Sequence, residues 1–273
     1  MAAPIEVQPP SIGLADSGAN RSAAVSLNRC AHGCGDPPAC MALEQLRSRW
    51  EGLLPPLLRR LSWVSVDAMT WAALPVGLAA AWLIATATDD ASGALRLVGG
   101  ALLMFLAMLI DGLDGAMARS RGSVSRWGDM LDHTIDRLLD TAWVLALAYN
   151  AAFCRDAAFG WLAAWFTLMG SYMGTQAQAV TGARNYRGFS RADRMVLTLV
   201  AVLLTAALIP SGNAVFGTAP APLDSIPITP LSAMVLVSMF GGIWTFLVRF
   251  RQAGRDVRAM DAEDPLPQAG DGA

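Results

Sequence analysis

The chain has 273 residues, 54% of them hydrophobic and only 15% charged, with a mean hydropathy of +0.42. Soluble domains carry about 25% charged residues, so this chain has too few to cover a globular surface, which excludes a soluble enzyme with a large core. A net charge of −2 offers no attraction for nucleic acid, and four scattered cysteines do not make a disulfide scaffold.

Residues 1–40 are rich in Ser, Pro, Gly and Ala without periodicity, which predicts a disordered extension. They lack a charged segment followed by an apolar one, so they do not read as a signal peptide. Cys30, His32, Cys34 and Cys40 are zinc-type ligands, but they form one short cluster in a proline-rich tail with no flanking fold. Over residues 41–62, Leu and Trp alternate with Arg at helical spacing, interrupted by Pro55 and Pro56. This pattern predicts an amphipathic helix lying in the membrane interface, with Arg side chains reaching the headgroups.

Residues 63–250 are expected to form an all-α domain with six transmembrane helices, and residues 251–273 a disordered tail. A span needs about 20 mostly apolar residues. Stretches near 67–88, 97–117, 131–153, 157–180, 195–212 and 231–247 qualify. The facing ends of the second and third carry Asp111 and Asp114, and Asp132, Asp136 and Asp140. All 20 basic residues are Arg, and fifteen fall between residue 41 and the first span, between the second and third, between the fourth and fifth, and after the sixth; only Arg96 and Arg155 fall on the other side. That asymmetry predicts a multi-pass protein of the cell membrane with both termini and the carboxylate cluster facing the cytoplasm.

Residues 111–136 read DGLDGAMARSRGSVSRWGDMLDHTID. Asp111 and Asp114 stand three apart and Asp132 and Asp136 four apart, so each pair shares a helix face. A short loop over 120–127 would fold the two helices together and turn all four carboxylates into one cleft. Two unit charges 4 Å apart repel by about 4 kcal/mol at an effective dielectric of 20, and nothing basic on the same faces offsets them. Such a cleft calls for cations, and oxygen-only ligands favour Mg²⁺ or Mn²⁺. Two ions about 3.5–4 Å apart would clamp a diphosphate. Gly115, Ala118 and Gly128 keep the surface bare for close approach, and Arg119 offers a fork of donors to phosphate. His133, one residue from Asp132, is turned about 100° away and is expected to face outward. Asp129 and Asp140 share the stripe of Asp132 and Asp136 and are given no role.

The pattern D-x2-D-G-x2-A-R-x8-G-x3-D-x3-D is met in full by Asp111, Asp114, Gly115, Ala118, Arg119, Gly128, Asp132 and Asp136. It resembles the signature of the CDP-alcohol phosphatidyltransferases. The resemblance implies that Asp111, Asp114 and Asp132 are metal ligands, and that Asp136 is the base activating the acceptor hydroxyl and shares a metal. Gly115, Ala118, Arg119 and Gly128 would line the CDP site. The implied reaction is attack of a small polar alcohol on the lipid-linked phosphorus of CDP-diacylglycerol or CDP-archaeol, releasing CMP in phospholipid biosynthesis, by a homodimer. Arg191 and Arg194 resemble arginines that hold a phosphorylated acceptor such as glycerol phosphate or inositol phosphate. Gly174 and Gln176 stand where inositol-phosphate members carry Lys and Arg, and the Thr175–Gln178 and Arg191–Arg194 runs are most similar to archaeal members. Val66-Asp67 replaces a Pro-Asn pair common before the first span.

Two other classes were weighed against this. A Mg²⁺-dependent membrane prenyltransferase would carry a second Asp-rich motif far away in the chain, and a cation transporter would place ionisable groups near the bilayer midplane in repeated halves. Neither feature occurs. Deletion of residues 1–40 is expected to leave membrane insertion and activity intact, checked by membrane fractionation and CMP release. Loss of activity with normal expression would assign the Cys30–Cys40 region a role.

Overall fold

The computed structural model describes residues 56, 58, 60–182, 187–220 and 226–263. Among these, the regular elements are helical, apart from one isolated bridge between Thr218 and Pro227. Helix α1 spans Val66–Ala85, α2 Ala91–Arg121, α3 Arg126–Tyr149, α4 Ala157–Thr181, α5 Arg191–Leu208 and α6 Pro230–Glu263, with a 3₁₀ turn over Ile209–Ser211. The expected extension over 1–40 and nearly all of the expected interfacial helix lie outside the described residues. Of the latter, Leu58 and Leu61 pack against a small cluster of Met69, Leu113 and Met117. Arg121 ties this segment to the end of α2, donating to the carbonyls of Val64 (2.6 Å) and Leu61 (2.9 Å).

Local chemistry starts and stops the helices. Side chains of Ser65, Asp90, Ser125 and Asp156 each accept a backbone N–H at the start of α1, α2, α3 and α4, satisfying donors that the first turn leaves unpaired. Gly122 ends α2 in the left-handed conformation with φ 62°, where a side chain would be strained. The turn to α3 is only residues 122–125, shorter than the loop expected over 120–127, because both helices continue past the apolar stretch. Helix α6 likewise runs to Glu263, so residues 251–263 are helical and not the expected disordered tail. Gln252 donating to Asp256 one turn on (2.8 Å) supports that extension.

Helices α1, α2, α5 with its 3₁₀ turn, and α6 are long and apolar enough to cross a membrane. Helices α3 and α4 are long enough but fall short on composition, since α3 carries the carboxylates and α4 ends in SYMGTQAQ. Large apolar side chains face outward along the bundle, among them Trp82, Leu102, Phe105, Trp165, Phe240 and Trp244, as expected for a surface solvated by lipid tails.

Inside, small residues let backbones approach closely, the usual packing device between membrane helices. A Cβ on Gly77 would overlap Leu139, and one on Gly160 would overlap Ala148. Helices α1 and α2 pack most extensively, as do α4 and α6, and α3 joins the two pairs. At the end remote from the aspartates, buried Asn150 caps α3 and stitches it to α1. Its amide donates to the carbonyls of Ile84 (2.7 Å) and Ala87 (3.0 Å), and its Oδ1 accepts from Ala152 (2.9 Å) and Phe153 (2.8 Å). Asn150→Ala removes four hydrogen bonds worth about 0.5–1.5 kcal/mol each. The thermal midpoint in detergent is expected to fall by several degrees. The turnover of the folded fraction should hold, because Asn150 lies about 20 Å along α3 from Asp136.

Candidate active site

The tight turn at 122–125 sets the end of α2 beside the start of α3, and the four motif aspartates come together there. Asp114 is 3% exposed and its Oδ2 accepts from the Thr70 hydroxyl of α1 at 2.6 Å. Asp136 is also buried, and Asp111 and Asp132 are half-buried. Asp111 adjoins both Asp132 and Asp136, and Asp114 lies within the electrostatic reach of Asp111 and Asp132.

A third helix completes the cluster. Arg191, the first residue of α5, reaches three carboxylates with three nitrogens: Nη1 lies 3.0 Å from Asp111 Oδ2, Nη2 2.5 Å from Asp136 Oδ1 and Nε 3.2 Å from Asp140 Oδ1. Asp140 also holds Arg194 Nη2 at 2.6 Å and Arg137 Nη1 at 3.2 Å. The expectation that nothing basic offsets the aspartates is therefore corrected. Arg119 of α2 acts on Asp114 from the same helix, and tertiary packing brings a further cation from a residue 80 positions away from Asp111.

Two cavities flank α3. One, of about 260 Å³, is lined by Gly115, Ala118, Arg119 and Gly128 together with Asp114, Asp132, Asp67 and Ser123. All four residues assigned from the motif to CDP thus share one cavity with two of the aspartates. The Arg119 guanidinium lies over Gly115, where an added Cβ would come 3.3 Å from Nη1. The other cavity, of about 330 Å³, is lined by Asp136, His133, Arg137, Arg191, Arg194 and Arg249, with Thr167, Ser171 and Gly174 of α4. Helix α3 is the wall between them: Gly128, Asp129 and Asp132 face one side, and His133, Asp136 and Arg137 face the other. His133 does not turn away from the site. A rotation of 100° from Asp132 carries it into the second cavity, with its Nδ1 3.8 Å from Asp132 Oδ2.

Hydrogen bonds to α6 fix the start of α5. Thr245 accepts from the Phe189 amide at 2.8 Å and donates to the Gly241 carbonyl at 2.7 Å. Gly188, with φ 108°, passes so close that a Cβ would lie 2.8 Å from the Thr245 hydroxyl. Ser190 and Asp193 then form a reciprocal capping box, which satisfies the first amides of α5 and leaves Arg191 projecting into the cluster. Arg249 of α6 donates to the carbonyls of Arg187 (2.9 Å) and Gly170 (2.8 Å). The S-x-x-D spacing of the capping box was available in the sequence. No local signal marks Thr70, Asp140, Thr245 or Arg249 as site residues, because the partners that place them there (Asp114, Arg191 and Arg194, Phe189, and Arg187 with Gly170) are distant in the chain.

The oxygen donors fit a hard divalent cation. Carboxylates from two helices adjoin, and Asp136 Oδ1 is buried without an aligned hydrogen bond, its 2.5 Å approach to Arg191 being a charge contact only. Oxygens of Asp132 and Asp136 and a ring nitrogen of His133 lie within 4.8 Å of one another.

The family model of the CDP-alcohol phosphatidyltransferases matches residues 63–244. The chain belongs to that family. It is thus a transferase of phospholipid synthesis, and the prenyltransferase and transporter readings fall away. Phosphatidylinositol phosphate synthase of Cutibacterium acnes is 31% identical over 176 residues, covering 60% of this chain and 78% of the relative. Archaetidylinositol phosphate synthase of Pyrococcus horikoshii is 32% identical over 110 residues, 38% of this chain and 55% of the relative. The crystal structure of Mycobacterium tuberculosis phosphatidylinositol phosphate synthase with CDP-DAG bound has a TM-score of 0.56 and 26% identity, covering 73% of this chain and 92% of that one. The same synthase in complex with manganese and citrate has the same TM-score at 24% identity, a likeness of fold.

Thr245→Val keeps the side-chain shape but frees the Phe189 amide and loosens the first turn of α5. Turnover measured as CMP release is expected to fall about three- to tenfold, the worth of about 1 kcal/mol of hydrogen bonding. CDP binding, measured by calorimetry, should be unchanged, because Thr245 does not line the cavity that holds Gly115, Ala118, Arg119 and Gly128.

Proposed function

We propose that this chain transfers the phosphatidyl group of CDP-diacylglycerol to the hydroxyl of a phosphorylated polyol, inositol phosphate before glycerol phosphate, releasing CMP. The observation that carries the reading is the carboxylate cluster standing between two cavities of different character. One has a bare, glycine-lined floor beneath Arg119, suited to a nucleotide diphosphate. The other gathers Arg191, Arg194 and Arg249 around Asp136, a surplus of cationic donors suited to a phosphate on the acceptor. The relatives named for inositol phosphate products support that acceptor, and the solved relative with CDP-DAG supports the lipid. Gly174, where the chain departs from inositol-phosphate members, lines the acceptor-side cavity, and that departure counts for glycerol phosphate as the competing acceptor.

In this reading Asp111, Asp114, Asp132 and Asp136 would hold two Mg²⁺ or Mn²⁺ ions, which would supply charge neutralisation at the diphosphate. Gly115, Ala118 and Gly128 admit the nucleotide, and Arg119 donates to its phosphates. Asp136 faces the acceptor side and takes the hydroxyl proton as the new O–P bond forms and the bond to CMP breaks. Arg191 and Arg194 orient the acceptor phosphate. Helices α3 and α4, 24 and 25 residues long, cross with the other four, which gives six spans and sets both termini on the cytoplasmic side with the aspartates. The homodimer implied by the family belongs to the same reading.

Purified protein is to be incubated with CDP-diacylglycerol or CDP-archaeol and Mn²⁺ or Mg²⁺, together with inositol phosphate, glycerol phosphate, inositol or serine. Mass spectrometry of the lipid product names the acceptor and tail; turnover of the unphosphorylated alcohols alone would overturn the acceptor assignment. In the same assay Asp136→Asn should lose about 10²–10⁴-fold in kcat, the usual worth of a general base, yet keep much of the metal-dependent CDP binding. Asp114→Asn should lose both. Equal loss of CDP binding in the two variants would make Asp136 chiefly a metal ligand.

A further inference from the structure

Asp140 lies outside the family motif, one turn past Asp136 on α3, and its side chain is 1% exposed. A lone carboxylate buried at such depth is costly, and its retention needs paired cations. Asp140 has three: Arg137 from its own helix and Arg191 and Arg194 from α5. The division of contacts is informative. Asp140 holds Arg191 by Nε, the inner nitrogen of the guanidinium, so the two outer nitrogens are left to point at Asp111 and Asp136. On its second oxygen Asp140 holds Arg194, which is 7% exposed and lines the acceptor-side cavity. A guanidinium on a flexible stem has many rotamers, and one carboxylate here fixes two of them at once.

We propose that Asp140 is the positioning residue of the acceptor site: it orients the Arg191 fork and seats Arg194, so that both arginines line the cavity that Asp136 lines. The proposal rests on the assignment of the second cavity to a phosphorylated acceptor. Asp140 touches neither substrate. It acts through the two arginines, and losing its charge lets them swing out of register with the reacting hydroxyl while the CDP cavity across α3 keeps its lining.

The test is a mutant cycle in the lipid-product assay. Asp140→Asn is expected to raise the acceptor KM about ten- to a hundredfold, the worth of charge-assisted contacts, with the KM for CDP-diacylglycerol unchanged within about twofold. In an Arg191→Gln/Arg194→Gln background, which removes both arginines that Asp140 holds, the same change should add nothing to the acceptor KM. Equal shifts in both KM values, or full additivity in the cycle, would make Asp140 a structural charge only and overturn the proposal. If Asp140→Asn leaves no folded protein, Asp140→Asn/Arg194→Gln removes the tightest ion pair together and restores neutrality. A folded double variant whose acceptor KM exceeds that of Arg194→Gln alone supports the proposal, through the loss of the Asp140 hold on Arg191, and one that matches Arg194→Gln alone overturns it. Wild-type enzyme that turns over no phosphorylated alcohol overturns the acceptor reading and this inference together, whereas wild-type turnover with an additive cycle overturns this inference alone.

Discussion

The interaction on which the rest of the site depends is the insertion of one guanidinium among three carboxylates. Asp111, Asp136 and Asp140 come from two helices and meet at one end of an apolar bundle, where mutual repulsion is poorly screened. Two such charges at 4 Å cost about 4 kcal/mol at an effective dielectric of 20. Arg191 meets all three through separate nitrogens, and Arg137 and Arg194 add two further cations at Asp140. With these three carboxylates offset, the acidic cluster, which also holds Asp114 and Asp132, can be packed by helices instead of being spread into solvent.

That balance constrains the surrounding fold. Arg191 serves the cluster only if α5 begins at that residue and faces α2 and α3, so the chain entering α5 is pinned to α6 by Thr245 and capped by Ser190 and Asp193. The turn between α2 and α3 must be short, or the two aspartate pairs would not share a cleft. Small residues on α1, α3 and α4 bring the backbones close enough for side chains of ordinary length to span the gaps. At the remote end, Asn150 and Thr229 lock the helix ends to neighbouring backbone, with the Thr229 hydroxyl donating to the Phe153 carbonyl at 2.5 Å. One end of the bundle is thus built for stability and the other for charge.

Helix α3 divides the work between two cavities by its own periodicity. Residues four apart share a face and residues one apart lie about 100° round the axis. Asp132 and Asp136 therefore both adjoin Asp111, while Asp132 lines one cavity and Asp136, with His133 and Arg137, lines the other. The placement of His133 follows from this rule, although an isolated-helix view puts it outside. A cavity that wraps part of the helix circumference turns an outward direction into a lining position.

By itself the sequence determined the all-helical class, the membrane setting, and the motif residues that meet at the α2–α3 turn. These are local properties: apolar run length, helical spacing and capping all act within a few residues. It also placed Gly115, Ala118, Arg119 and Gly128 together, because the short turn leaves them little freedom. Two other features were not legible. Nothing in a run of arginines tells a topology signal from a charge aimed at Asp111, and nothing in the stripe of α3 tells that Asp140 would be met by three cations. Thr70 and Thr245 look like any hydroxyls in a membrane helix until Asp114 and Phe189 are brought against them. Tertiary structure alone decided those pairings, because they join residues tens of positions apart whose approach depends on how whole helices pack, and no local propensity encodes that distance.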